Sequence, residues 1–403
     1  MTINLNPILI RVRPLNEEVK YFIVAFCILF ADLKIFEIKV SELLMFLFFV
    51  LYINKYFNKI STLLYFFSLF LIFSLLITSL LKIGPLSSIY SFLKMPYIIS
   101  LSRYVEYLSC IGFSLFSYHI LFKKKYIYIY KILDYTLLFA IIFIIEFVLI
   151  YLGFYSISES LFYYGTYRLR GFYVEGGPLG LCYAFIMSLV YLFGGKYKLL
   201  KIFILFIVII LSQSKAGILY ILLFAIFILY EKVKIPKFYK PIAIIIFTFT
   251  FMYIVSIVVQ GYLYEIANVS TNLQYKQNDT NYVMGRIAGL FIIPNIVKSN
   301  YLFGIGMGNY PLVRNFPAYR GIFPEVELWD SSGLGGFIDL LVDGGLFFGC
   351  IFIYVIKNIY IRSAIQHKKY LLLAFALPFA LGLQLYFLYP WFIIGIFLNG
   401  KSD

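Results

Sequence analysis

The sequence predicts an all-α, polytopic integral membrane protein, on three observations. Hydrophobic residues make up 63% of the 403 residues and charged ones only 13%, with a mean hydropathy of +0.92, too apolar for one core wrapped in a water-exposed surface. The apolar residues come in blocks long enough to cross a hydrocarbon core of about 30 Å at about 1.5 Å per helical residue. Those blocks are continuous rather than alternating, which speaks for helices and against a β-barrel.

About 12 spans follow, within a range of 11 to 14: 20–37, 40–54, 60–81, 96–118, 132–152, 177–194, 199–213, 216–230, 241–260, 334–356, 370–388 and 390–399. Most of the 34 Lys and Arg residues, including Lys123–Lys125 and Lys232, Lys234, Lys237 and Lys240, then fall on one side. The positive-inside rule makes that side cytoplasmic and both termini with it. Residues 1–20 lack the compact apolar stretch and small-residue cleavage site of a removable signal, so the first span is expected to stay. Cys27, Cys110, Cys182 and Cys350 lie within spans and read as packing residues. The net charge of +15 is scattered as topology determinants rather than gathered on one face, so no nucleic-acid partner is expected.

No linker or repeat divides the chain, and residues 1–403 read as a single transmembrane domain. Two outer loops stand apart, 153–177 and 261–333, the second lying between the ninth and tenth helices. Loops of that size carry function more often than chance. Within the second, Ile287, Leu290, Phe291 and Val297 recur at near-helical spacing after Arg286, with Pro294 as a kink, which reads as a short helix on the outer membrane surface. Its tail sets Glu325 and Glu327 beside Trp329 and Asp330, a mixture suited to sugar hydroxyls and ring faces.

Three helix starts converge on this side, at Gly176-Gly-Pro178, Ser214-Lys215-Ala216 and Ser331-Ser-Gly-Leu-Gly-Gly336. Each points free N–H groups and the positive end of a helix dipole outward. With Arg168, Arg170, Lys215 and Arg286 nearby they would make an anion site, and a planar guanidinium suits a multi-oxygen group such as pyrophosphate. The helices flanking Lys215 are short, which places it below the membrane interface. Glu175, and Asp339 with Asp343 one turn apart, supply carboxylates on the same side, either as general bases or as balance for the arginines. Arg103 and Glu106, three apart within a span, read as an internal ion pair. The outer side has no histidine or cysteine cluster and the chain no nucleotide-binding loop, so neither metal nor cofactor is expected and the driving force should reside in an activated lipid-linked substrate.

Four stretches stand in order: Arg168-Leu-Arg170-Gly171-Phe-Tyr-Val-Glu175-Gly-Gly-Pro178-Leu-Gly180, Ser212-Gln-Ser214-Lys215-Ala216-Gly217, Arg286 followed by Phe303-Gly304-Ile-Gly306-Met-Gly308-Asn309-Tyr310, and Ile338-Asp-Leu-Leu-Val-Asp343-Gly344-Gly345-Leu346-Phe-Phe-Gly349. Together they resemble the bacterial O-antigen polymerase (Wzy) family and, more distantly, the O-antigen ligases.

The resemblance implies a C-type glycosyltransferase of the inner membrane. Such an enzyme moves a growing glycan from undecaprenyl pyrophosphate to the terminal sugar of another lipid-linked repeat unit on the periplasmic face. It also implies undecaprenyl-pyrophosphate-linked oligosaccharides and membrane lipids as partners, and leaves room for a chain-length regulator. Carried over, Arg170 and Arg286 hold the donor pyrophosphate. The chemistry itself also needs a base to take the hydroxyl proton, for which Glu175, Asp330 and Asp343 are the candidates. Arg168, Lys215, Trp329, Asp330 and Asp339 contact substrate, with Lys215 standing where the family commonly has Arg. Displacement without a covalent intermediate would invert the anomeric carbon. Ligases carry an outer His before the last Gly-rich stretch; here Leu328-Trp329-Asp330-Ser331-Ser332 has none, which favours polymerase. A ligase-type transferase and a flippase for the same lipids are the competing readings.

Overall fold

The computed structural model describes residues 16–35, 38–86, 91–121, 128–153, 168–232, 263–276 and 279–399, with 249, 253, 256, 260 and 261. The described residues are mostly helical: α1 (Glu17–Leu29), α2 (Val40–Leu80), α3 (Pro96–Leu121), α4 (Ile129–Tyr151), α5 (Gly176–Phe193), α6 (Lys198–Leu211), α7 (Lys215–Lys232), α8 (Val269–Tyr275), α9 (Thr280–Val283), α10 (Arg286–Ser299), α11 (Tyr310–Val313), α12 (Pro317–Arg320), α13 (Gly336–Arg362), α14 (Lys368–Ala380) and α15 (Phe392–Leu398). Among these, α2, α4, α5 and α13 are long and apolar enough to cross a membrane. Most of the expected span 241–260, most of the first outer loop, the Lys123–Lys125 cluster and both termini lie outside the described residues.

Several expected helices end differently, among them the span 370–388, which stops at Ala380. The first stops at Leu29 rather than running to residue 37, because the chain turns into a small antiparallel ribbon pairing Lys34 with Lys39 and Ile35 with Ile38. Spans 40–54 and 60–81 become one helical stretch, since neither Gly nor Pro interrupts Val40–Leu80. Its two halves nevertheless run along α3 in opposite senses. Phe49 packs on Gly112, the Tyr56 hydroxyl meets His119 Nδ1 at 2.6 Å, and then Phe67 stacks on Tyr107 with ring centroids 4.3 Å apart. In a straight helix Phe49 and Phe67 would be about 27 Å apart, whereas Gly112 and Tyr107 are separated by about 8 Å along α3. The chain therefore reverses near Lys55 and Lys59, the polar stretch that the sequence marks.

The helical bundle buries a continuous apolar core around Trp391, Phe67, Phe113 and Phe185. Residues of the second outer segment build another, in which Ile287, Ile292 and Ile296 of α10 pack with Tyr282, Val313 and Phe323. The α10 helix starts at Arg286 and contains Pro294, as its spacing predicts, but Leu290 is exposed and the buried stripe runs through Ile287, Ala288, Ile292, Ile293 and Ile296.

The helix α13 is broken. Gly345 sits at φ 64° and ψ −168°, between a first arm that begins at Gly336 and a second that ends at Arg362. A break inside an apolar helix strands carbonyls before it and N–H groups after it, each costing about 1–3 kcal/mol if left unpaired. Here the chain at 301–306 takes them up. Ile305 and Gly306 donate their N–H groups to the carbonyls of Val342 and Asp343 at 3.0 and 2.8 Å, while the N–H groups of Leu346 and Phe347 donate to Tyr301 and Leu302 at 2.8 and 3.0 Å. A Cβ at Gly345 would collide with the Leu302 carbonyl. Gly345→Ala should therefore destabilise the solubilised protein by on the order of 2–3 kcal/mol. Gly349→Ala, at a position of the same helix where a Cβ meets nothing within 4 Å, should leave thermal unfolding near wild type. Equal behaviour of the two variants would contradict the break.

Candidate functional site

The break in α13 positions a cavity. On the first arm, Asp339 and Asp343 are one turn apart and both line it, across from Arg103 of α3, Tyr310, Trp329 and Tyr386. The cavity is small and partly open, with a volume of about 50 Å³. Each carboxylate is held by one donor. Ser332 Oγ donates to Asp339 Oδ1 at 2.5 Å, and the Gly308 N–H donates to Asp343 Oδ2 at 3.0 Å. The loop that closes the helix break thus also orients the carboxylate beside it.

Arg103 was expected to be only an internal ion pair. It does pair with Glu106, at 2.6 Å, but it also borders the cavity. Its guanidinium lies 4.0 Å from the centre of the Tyr386 ring, a face-on cation–π contact. Trp329 carries the Lys94 ammonium over its ring at 3.9 Å. Tyr310, Gln384 and Tyr386 also line it; Tyr310 falls in the third stretch with no role assigned to it, and Gln384 and Tyr386 did not stand out, because a single tyrosine among 38 carries no signal. Arg103 did carry one, as a charge inside an apolar span.

Asp330 is turned away from the cavity into a buried pair with Arg314, and its other oxygen accepts the Gly285 N–H at 2.7 Å. Burial pushes its carboxyl up, and Arg314 and the Gly285 N–H oppose that. Arg314 also donates to the Val283 carbonyl at 3.0 Å. The pair therefore fixes the start of α10, where Arg286 stands exposed and donates its Nε–H to the Gly333 carbonyl at 3.1 Å.

A second group gathers at the starts of α5 and α7. Ser214 caps α7 by accepting the Gly217 N–H at 3.0 Å and donates to the Gly177 carbonyl at 2.8 Å, while Gly180 and Gly217 bring the two helices into backbone contact. Arg168 Nε donates to the Ser212 carbonyl at 2.8 Å, which commits this side chain to holding the turn. Among the described residues Arg170 makes one long bond, to the Val174 carbonyl at 3.4 Å, and its buried Nε has no partner there. Glu175 precedes the first turn of α5 and is exposed, as is Lys215 at the start of α7. This group is linked to the cavity: the Val174 N–H reaches Asp32 at 3.4 Å, Asp32 lies 3.9 Å from Lys39, and Lys39 faces the Tyr386 ring at 5.5 Å.

The described fold and site define a helical protein, with helices apolar enough for a membrane, built around a polar cavity at a helix break. Compared with protein-family models, with curated proteins and with solved structures, the chain finds no match in any of the three. Among the described residues no group of His, Cys, Asp and Glu is arranged to hold a metal ion. The buried Arg314–Asp330 pair gives a direct test of the frame. Arg314→Met leaves a buried carboxylate without its cation and should cost about 3–5 kcal/mol, read as lost thermal stability. Adding Asp330→Leu should restore much of that loss, and no restoration would mean that the pair does not carry the segment.

Proposed function

We propose that this chain polymerises lipid-linked polysaccharide repeat units, moving a growing glycan from undecaprenyl pyrophosphate to the terminal sugar of another lipid-linked unit. The observation that carries the reading is the pair of carboxylates at the α13 break, which share a cavity with Arg103 and Trp329 within helices suited to a membrane. The resemblance of four sequence stretches to the O-antigen polymerases supports it. In this reading the chain has about 12 spans, sits in the bacterial inner membrane with cytoplasmic termini, and opens its site to the periplasm.

The chemistry follows from what a sugar hydroxyl needs. It is a weak nucleophile, so it must be held at the anomeric carbon, lose its proton to a base, and displace a leaving group whose charge is stabilised. Asp343 is the base: its Oδ2 is fixed by the Gly308 N–H, and Oδ1 is left to accept the proton. The new C–O bond forms as the bond from the anomeric carbon to the pyrophosphate oxygen breaks, with inversion. Arg170, with guanidinium donors unspent, and Arg286 hold the departing pyrophosphate, and Arg168, Lys215, Asp339 and Trp329 shape the surroundings. No metal or cofactor enters the scheme, and a chain-length regulator is a natural partner.

The test is polymer formed per unit of inserted protein, from lipid-linked repeat units in excess chelator. Asp343→Asn keeps the shape but not the base and should lower the rate at least a hundredfold. Arg170→Ala should cost about a hundredfold, and Arg170→Lys should recover only part of it, because a point charge lacks the paired donors. Wild-type rates in Asp343→Asn would sink the assignment. Deleting the gene separates the classes: a surface ladder collapsing to one repeat unit means a polymerase, loss of all repeats a flippase, and polymer retained on the lipid carrier a ligase.

A further inference from the structure

The polymerase reading leaves open which sugars the cavity takes. We infer that it binds a neutral or amino-substituted sugar ring and excludes acidic sugars, with Tyr310, Asp339 and Asp343 as the selecting groups; the inference rests on the reading above only in taking the ligand to be a saccharide.

Tyr310 carries the first part. It lines the cavity, is only 5% exposed, and its buried hydroxyl has no hydrogen-bond partner among the described residues. A buried phenol without a partner is costly in the empty protein, and a ligand oxygen placed beside it removes that cost. The carboxylates carry the second part. Asp339 commits Oδ1 to Ser332 and Asp343 commits Oδ2 to Gly308, so one oxygen of each is left to accept from a ligand. A group that offers O–H or N–H donors to both, an acceptor oxygen to Tyr310 and an apolar ring face to Trp329 has the chemistry of a sugar ring.

Charge decides between sugars. The Arg103 guanidinium is already engaged by Glu106 at 2.6 Å and by the Tyr386 ring, so it offers little to a ligand anion. The Lys94 ammonium lies over the Trp329 ring, at the aromatic wall rather than between the two aspartates. A uronate carboxylate set against Asp339 would meet like charge in a part-buried site, where repulsion is several times stronger than in water. An ammonium or a hydroxyl meets the opposite situation.

The experiment is saturation-transfer NMR on the full chain in nanodiscs, with maltotetraose, chitotetraose, its deacetylated tetramer and tetragalacturonate as probes. At least one neutral or aminated probe should bind saturably, and tetragalacturonate at least tenfold more weakly. Asp339→Asn should narrow that gap, and Tyr310→Phe should weaken the neutral probe severalfold with thermal unfolding unchanged. Tetragalacturonate bound as tightly as the others, no saturable binding by any probe, or a preference unmoved by both variants would overturn the inference. Polymer formation measured on the same samples keeps the two questions apart. Polymer without the charge preference sinks the inference alone, and the preference without polymer sinks the polymerase reading alone.

Discussion

The interrupted helix α13 is the feature on which the rest of the site depends. A helix satisfies its own backbone, which is why helices suit lipid, and a break surrenders that advantage unless other chain groups replace the lost bonds. The segment Tyr301–Gly306 replaces four of them. Once that segment is committed, Gly308 is placed where its N–H holds Asp343, and Asn309 is drawn inward to donate to Thr78 at 2.8 Å. The cavity thus has a floor built from two distant parts of the chain.

Around that floor, buried charges are paired before they are put to use. Arg314 with Asp330, Arg103 with Glu106, and Lys39 with Glu42 at 2.8 Å each remove a cation that would otherwise be stranded in a low-dielectric interior. What is left uncommitted is informative by contrast. Among the described residues Arg170 keeps most of its donors, and Asp339 and Asp343 each keep an oxygen, which leaves polar capacity at the start of α5 and in the cavity.

Much of this was legible in the sequence where a local rule governs. The apolar blocks mark the helices, Ser214 caps α7, and α10 starts at Arg286 because the apolar spacing begins there. The four stretches that resemble one family were legible as stretches but not as partners. In the structure they pair off, 168–180 against 212–217 and 303–310 against 338–349, through contacts that no periodicity encodes. The same limit hid Tyr310 and Tyr386, whose importance comes from what faces them. Arg103 was visible as a charge in a span, yet its pairing with Glu106 explained it too fully and concealed its place in the cavity wall.

The claim that the helix break is closed by the glycine-rich loop can be tested by hydrogen–deuterium exchange of the wild-type chain in nanodiscs. Peptides covering 301–308 and 342–348 should both exchange slowly and open together as temperature is raised, since their amides bond each other across the break. Fast exchange in 301–308, typical of an exposed loop, beside lasting protection in 342–348 would contradict it.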